Sequence, residues 1–159
     1  TWLIMKTEGG LQGRAFGLAR PLVWILLAVI AAISLWTPLL VPGIAERWFS
    51  VPNIFWLAPV PLLVLASTVL LLRALGRRNQ LRPFLYTLVL IFLGYSGLGI
   101  SLWPNIVPPG ITIWDAASPP QSQGFTLIGT LLIIPVILAY TAWAYYVFRG
   151  KVRAGEGYH

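Results

Sequence analysis

Residues 125–148 read FTLIGTLLIIPVILAYTAWAYYVF, and this stretch decides the fold class. It contains no Asp, Glu, Lys, Arg or His. At about 1.5 Å rise per residue a run of this length crosses a hydrocarbon core of about 30 Å. Backbone N–H and C=O groups in lipid find no water and must bond within their own segment, which requires a helix or a closed barrel. Its hydrophobicity is continuous, with no alternation of period two, and that rules against a barrel strand. Thr126, Thr130 and Thr141 are compatible with lipid because a hydroxyl can bond the carbonyl one turn back along its own helix.

Working outward, three more stretches have the same character. They cover about residues 21–41, 54–72 and 83–103, and none contains Asp, Glu, Lys, Arg or His. The chain as a whole is 58% hydrophobic and only 9% charged, with mean hydropathy +0.81. A soluble domain of that composition would expose large apolar patches to water. The reading is an all-α integral membrane protein, a bundle of four transmembrane helices.

The net charge of +7 is distributed in a way that orients the bundle. Lys6, Arg14 and Arg20 precede the first span. Arg73, Arg77, Arg78 and Arg82 lie between the second and third, and Arg149, Lys151 and Arg153 follow the fourth. Ten of the eleven basic residues therefore fall on one side, and only Arg47 on the other. Lys and Arg concentrate on the cytoplasmic side of membrane proteins, so both termini are expected there. The division is residues 1–20 as a cytoplasmic segment after a preceding helix, 21–148 as the membrane bundle and 149–159 as a cytoplasmic basic tail. With the basic excess explained by topology, no nucleic-acid partner is expected. The opposite side is rich in proline and tryptophan. Proline fixes φ and removes a donor, so residues 42–53 and 104–124 are expected to be rigid and non-helical. Trp36, Trp48, Trp56, Trp103 and Trp114 suit an interface that is half apolar and half wet.

Several chemistries are excluded by inventory. There is no cysteine, so no disulfide, thiolate metal site or thiol nucleophile. Axial heme ligation draws on His, Met, Cys or Tyr. The one His is His159 and the one Met is Met5, neither inside a span. No catalytic residue, metal ligand or cofactor is assigned to this chain. Proton relays need intramembrane ionisable groups, which the spans lack. The remaining features are packing and loop features. Pro59 and Pro61 are expected to kink the second span, and Pro135 the fourth. Gly97 and Ser101 are four residues apart, as are Ala28 and Ala32, a spacing that lets helices approach or a partner subunit dock. Trp114 and Asp115 stand in the long outer loop, where Asp115 can accept backbone N–H bonds in a turn or contact a partner.

Three stretches carry a family resemblance. The opening Thr1-Trp2-Leu3-Ile4-Met5-Lys6-Thr7-Glu8-Gly9-Gly10-Leu11-Gln12-Gly13-Arg14 is one, with Gly10 and Gly13 standing where charged residues are common. Gly99-Ile100-Ser101-Leu102-Trp103-Pro104 with Ile111-Thr112-Ile113-Trp114-Asp115 is the second. Pro135-Val136-Ile137-Leu138-Ala139-Tyr140-Thr141-Ala142-Trp143, followed by Tyr145-Tyr146 and the basic exit, is the third. Together they make the chain resemble the C-terminal half of subunit II of cytochrome bd-type quinol oxidases, including the cyanide-insensitive branch. The resemblance implies the second of two four-helix bundles in a non-heme subunit of the bacterial inner membrane. It implies a partner, subunit I, that carries hemes b and d and the quinol site, and a complex that oxidises quinol and reduces O₂ to water in aerobic respiration. It also implies that a structural quinone or lipid can lie in subunit II, and that its proton-carrying carboxylates belong to the other half. Two other readings fit the spans: half of a repeat-built transporter, with Pro59, Pro61 and Pro135 breaking its helices, and a membrane assembly factor without chemistry.

Overall fold

The computed structural model describes residues 1–151, so Arg153, His159 and the rest of the tail beyond Lys151 lie outside the described residues. Its elements in chain order are α1 (Trp2–Lys6), α2 (Gly9–Leu40), α3 (Pro42–Phe49), α4 (Asn53–Leu57), α5 (Pro59–Gly76) and α6 (Arg82–Leu102), then strands β1 (Asn105–Val107) and β2 (Ile111–Thr112), then α7 (Pro120–Val147). Four helices are long and apolar enough to cross a membrane: α2, α4 run on into α5, α6 and α7.

The helices do not stop where the apolar runs stop. Helix α2 starts at Gly9, well before Pro21, and its 32 residues measure about 48 Å. Arg14 and Arg20 therefore ride on the same helix as the first span. Hydrogen bonding sets the length of a helix and apolarity does not, so α2 outruns the apolar stretch. Pro21 lies inside α2 without ending it. The end comes at Val41, whose backbone is extended (φ −126°, ψ 92°) because the following Pro42 disfavours a helical residue before it.

Residues 42–53 are not the non-helical excursion expected from their prolines. Pro42 opens α3, where a missing N–H costs nothing because the first helical donors are unpaired anyway. Pro52 likewise precedes α4. Pro59 begins α5, but Ala58 before it stays helical (φ −52°, ψ −32°). The interruption is thus local, a break in hydrogen bonding without a change of region. The segment from Pro104 to Pro119 is non-helical, and α7 opens on Pro120. Helix α7 runs through Pro135 without interruption.

The chain forms two compact units, residues 1–103 together with Lys151, and residues 104–150. In the first, α5 and α6 pack along each other most extensively, with α2 against α5. Ile4, Ala19, Val23, Leu71, Leu75 and Leu90 form its core, flanked by Phe16, Val64 and Tyr86. Ile4 on α1 is completely buried, and Gln12 fastens α1 to α2 by donating from Nε2 to the carbonyls of Ile4 (2.9 Å) and Thr7 (2.8 Å). Gly9 takes φ +68°, the left-handed region open to glycine, at the corner between those helices. The many exposed Leu, Ile and Val side chains of the spans suit lipid contact, where association between helices rests on van der Waals packing. In the second unit, β1 and β2 form an antiparallel hairpin (Asn105 opposite Thr112, Val107 opposite Ile111) followed by α7.

Candidate functional site

Three places concentrate polar chemistry. The first joins α3 to the end of α6. Arg47 donates from a guanidinium nitrogen to the Ile100 carbonyl at 3.0 Å. Beside it, Trp48 Nε1 donates to Ser101 Oγ at 2.9 Å, and Ser101 Oγ donates to the Gly97 carbonyl at 2.8 Å. The last carbonyls of a helix carry its negative end, so a cation there is favourable. Of the residues marked by their spacing, Gly97 and Ser101 are thus linked to each other within α6. A Cβ at Gly97 would meet nothing within 4 Å. Arg47 and Trp48 complete the cluster and were not foreseen, because nothing in sequence pairs positions 53 residues apart.

The second place is the hairpin corner. Asp115 Oδ2 accepts from the Thr112 backbone N–H at 3.1 Å and from the Thr112 hydroxyl at 2.5 Å, while the Asp115 N–H donates to that hydroxyl oxygen at 3.2 Å. The Thr112 hydroxyl, then its backbone N–H, holds the fully exposed Asp115 carboxyl below the ordinary carboxylate range. The Ile113 N–H closes the hairpin on the Pro104 carbonyl at 2.9 Å. Trp114, in the same turn, has its carbonyl accepting from the Ala117 N–H at 3.3 Å, and its indole is largely exposed.

The third place is the connection from α5 to α6. The Asn79 N–H donates to the Ala74 carbonyl (3.0 Å) and the Arg78 N–H to the Leu75 carbonyl (3.1 Å), a Schellman pair that satisfies the end of α5. That motif needs a left-handed residue, usually glycine, and here Arg78 supplies it with φ 49°. Its guanidinium lies over the Phe16 ring, 5.9 Å from the centroid. Asn79 Oδ1 then accepts from the N–H groups of Leu81 (3.2 Å) and Arg82 (3.0 Å), so one residue helps end α5 and start α6. The other three arginines of this region, Arg73, Arg77 and Arg82, line a cavity of about 170 Å³. Asn79 and Tyr86 also line it, over Leu70 and Ala74. Nearby, Lys151 Nζ lies 3.5 Å from Glu8 Oε1 and bonds Gln80 Oε1.

Among the described residues the donor set offers a heme no His, no Cys and no Met within the four long helices. Among the described residues no three His, Cys, Asp or Glu side chains cluster, and the sole Met, Met5, sits on the short α1.

Four long apolar helices define a multi-pass helical membrane protein. The family model for cytochrome bd terminal oxidase subunit II matches residues 1–148, and the chain belongs to that family. It is similar to cytochrome bd-I ubiquinol oxidase subunit 2 of Escherichia coli K12, and equally to the proteins of that name from strains O6:H1 and O157:H7, at 24% identity over 96% of this chain and 48% of each relative. The chain thus spans about half the length of the relatives it matches.

Proposed function

We propose that this chain is the second four-helix membrane bundle of a cytochrome bd-type subunit II, with both ends cytoplasmic in the bacterial inner membrane. In this reading it scaffolds a heme-bearing subunit I, and the assembled oxidase takes electrons from quinol and reduces O₂ to water. The observation that carries the reading is the family match across nearly the whole chain. The spans free of ionisable groups support the division of labour: a bundle without intramembrane acids or axial ligands can dock and hold, while electrons and protons move elsewhere. The cytoplasmic placement rests on the ten basic residues gathered at one side. Asp115, Trp114, Gly97 and Ser101 are then structuring or contact residues on the far side. Affinity purification of the full-length protein from native membranes tests the proposal. The expected result is co-purification of a larger subunit with a heme d absorption band. Heme-free recovery from cells that make a bd oxidase overturns it, and substrate-stimulated flux through liposomes holding the protein alone favours a transporter.

A further inference from the structure

Arg73, Arg77 and Arg82 meet at one cavity, and among the described residues no carboxylate pairs with any of them. Three like charges that share a cleft repel unless an anion lies between them. At the helix start beside them, the N–H groups of the N-cap Leu81 and of Arg82 are already taken by Asn79. What remains available are the guanidiniums themselves, exposed and rich in donors that match the oxygens of a phosphate. Arg78, the fourth arginine of the region, is turned away onto Phe16.

Depth and lining name the ligand class. The charge-free part of α5 ends at Leu72, directly before Arg73, and that of α6 begins after Arg82. The cleft therefore lies where two spans leave the hydrocarbon, at the level of lipid headgroups. Its lining is mixed: Leu70, one turn deeper and exposed, belongs to the apolar span, and Tyr86 adds a ring and a hydroxyl. A ligand that touches Leu70 and the arginines together is amphiphilic. The lining contains no acidic side chain to receive an ammonium group, which disfavours zwitterionic headgroups. Basic pockets between transmembrane helices are a recurrent way to hold anionic lipids.

We propose that the cleft between the end of α5 and the start of α6 binds the phosphate of an anionic phospholipid through Arg73, Arg77 and Arg82, with an acyl chain along Leu70. This goes beyond the oxidase reading and does not depend on it.

The test uses the full-length protein purified in mild detergent with whatever accompanies it. After delipidation it is offered phosphatidylglycerol, phosphatidylcholine or inorganic phosphate, and bound lipid is counted by native mass spectrometry. Phosphatidylglycerol should be retained well above phosphatidylcholine, and millimolar phosphate should not displace it. Replacing the three arginines together by Gln should lower that retention by about tenfold or more, since each removes a charge-assisted hydrogen bond. Arg78→Gln should leave it unchanged. If the triple variant does not assemble, Arg77→Gln read against Arg78→Gln carries the same comparison. Equal retention of the two lipids, retention unaltered by the cleft variants, or full displacement by phosphate overturns the proposal.

Discussion

The two ends of α6 are handled by different chemistry. At its start, a connection of a few residues carries arginine after arginine, and both helix ends are closed by one strained residue, Arg78, and one side chain, Asn79. At its finish, the helix gives way to a long proline-rich segment held by a Thr–Asp clasp, while Arg47 and Trp48 come from α3 to meet the last turn. Both solve the same problem, unpaired backbone groups at the edge of a medium without water. The basic end solves it with neighbours in sequence. The other end recruits a helix from far along the chain, so its integrity depends on tertiary structure.

That contrast can be broken or sharpened by mutation. Asn79→Ala removes one side-chain acceptor that takes two N–H bonds at a helix start and is expected to cost about 1–2 kcal/mol of unfolding free energy in detergent micelles. A silent substitution would leave the Schellman pair alone as the agent of the turn. Trp48→Phe keeps an aromatic side chain, though a smaller one, but loses the bond to Ser101, and should cost at least about 1 kcal/mol by the same unfolding measurement. Because that bond reaches across the fold, hydrogen exchange should rise at the end of α6 and in α3 together. If only α3 responds, the far end is as local as the basic one.

The smallest effect should come from Asp115, which is fully exposed. Its folded pKa lies below the unfolded value of about 3.9, so its contribution is present above that value and fades as pH falls through the folded one. Protection of the Thr112 amide should therefore persist at pH 4 and disappear in stronger acid. Asp115→Ala should remove both the protection and its pH dependence without altering global unfolding. A pH-independent Thr112 amide in the unmutated chain would show that the hairpin holds without the carboxylate.

The spans were legible in the sequence because lipid demands an unbroken apolar run, and residues 125–148 satisfy that demand without any knowledge of neighbours. The helix ends were not. Gly9 to Arg20 precedes the unbroken apolar run yet is helical, and apolarity is silent about such a stretch. Pro42 misled for a related reason: a proline reads as a breaker, but at the first helical position it starts a helix as readily as it ends one. The Thr112–Asp115 clasp had a local signature, two polar side chains three apart. The pairing of Trp48 with Ser101 had none. The arginines were read as a topological signal alone, since only the folded turn shows that three share a cleft while the fourth lies on Phe16.

Arg73, Arg82 and Arg47 have one more consequence, which concerns vertical register. A shift of α5 or α6 by one turn, about 5.4 Å, toward the proline-rich side draws Arg73 or Arg82 toward hydrocarbon, where a charged side chain costs up to about 3 kcal/mol at mid-depth. A shift of α6 the other way pulls on Arg47 through its bond to Ile100. The helix is stopped in both directions, like a bolt with a head at each end.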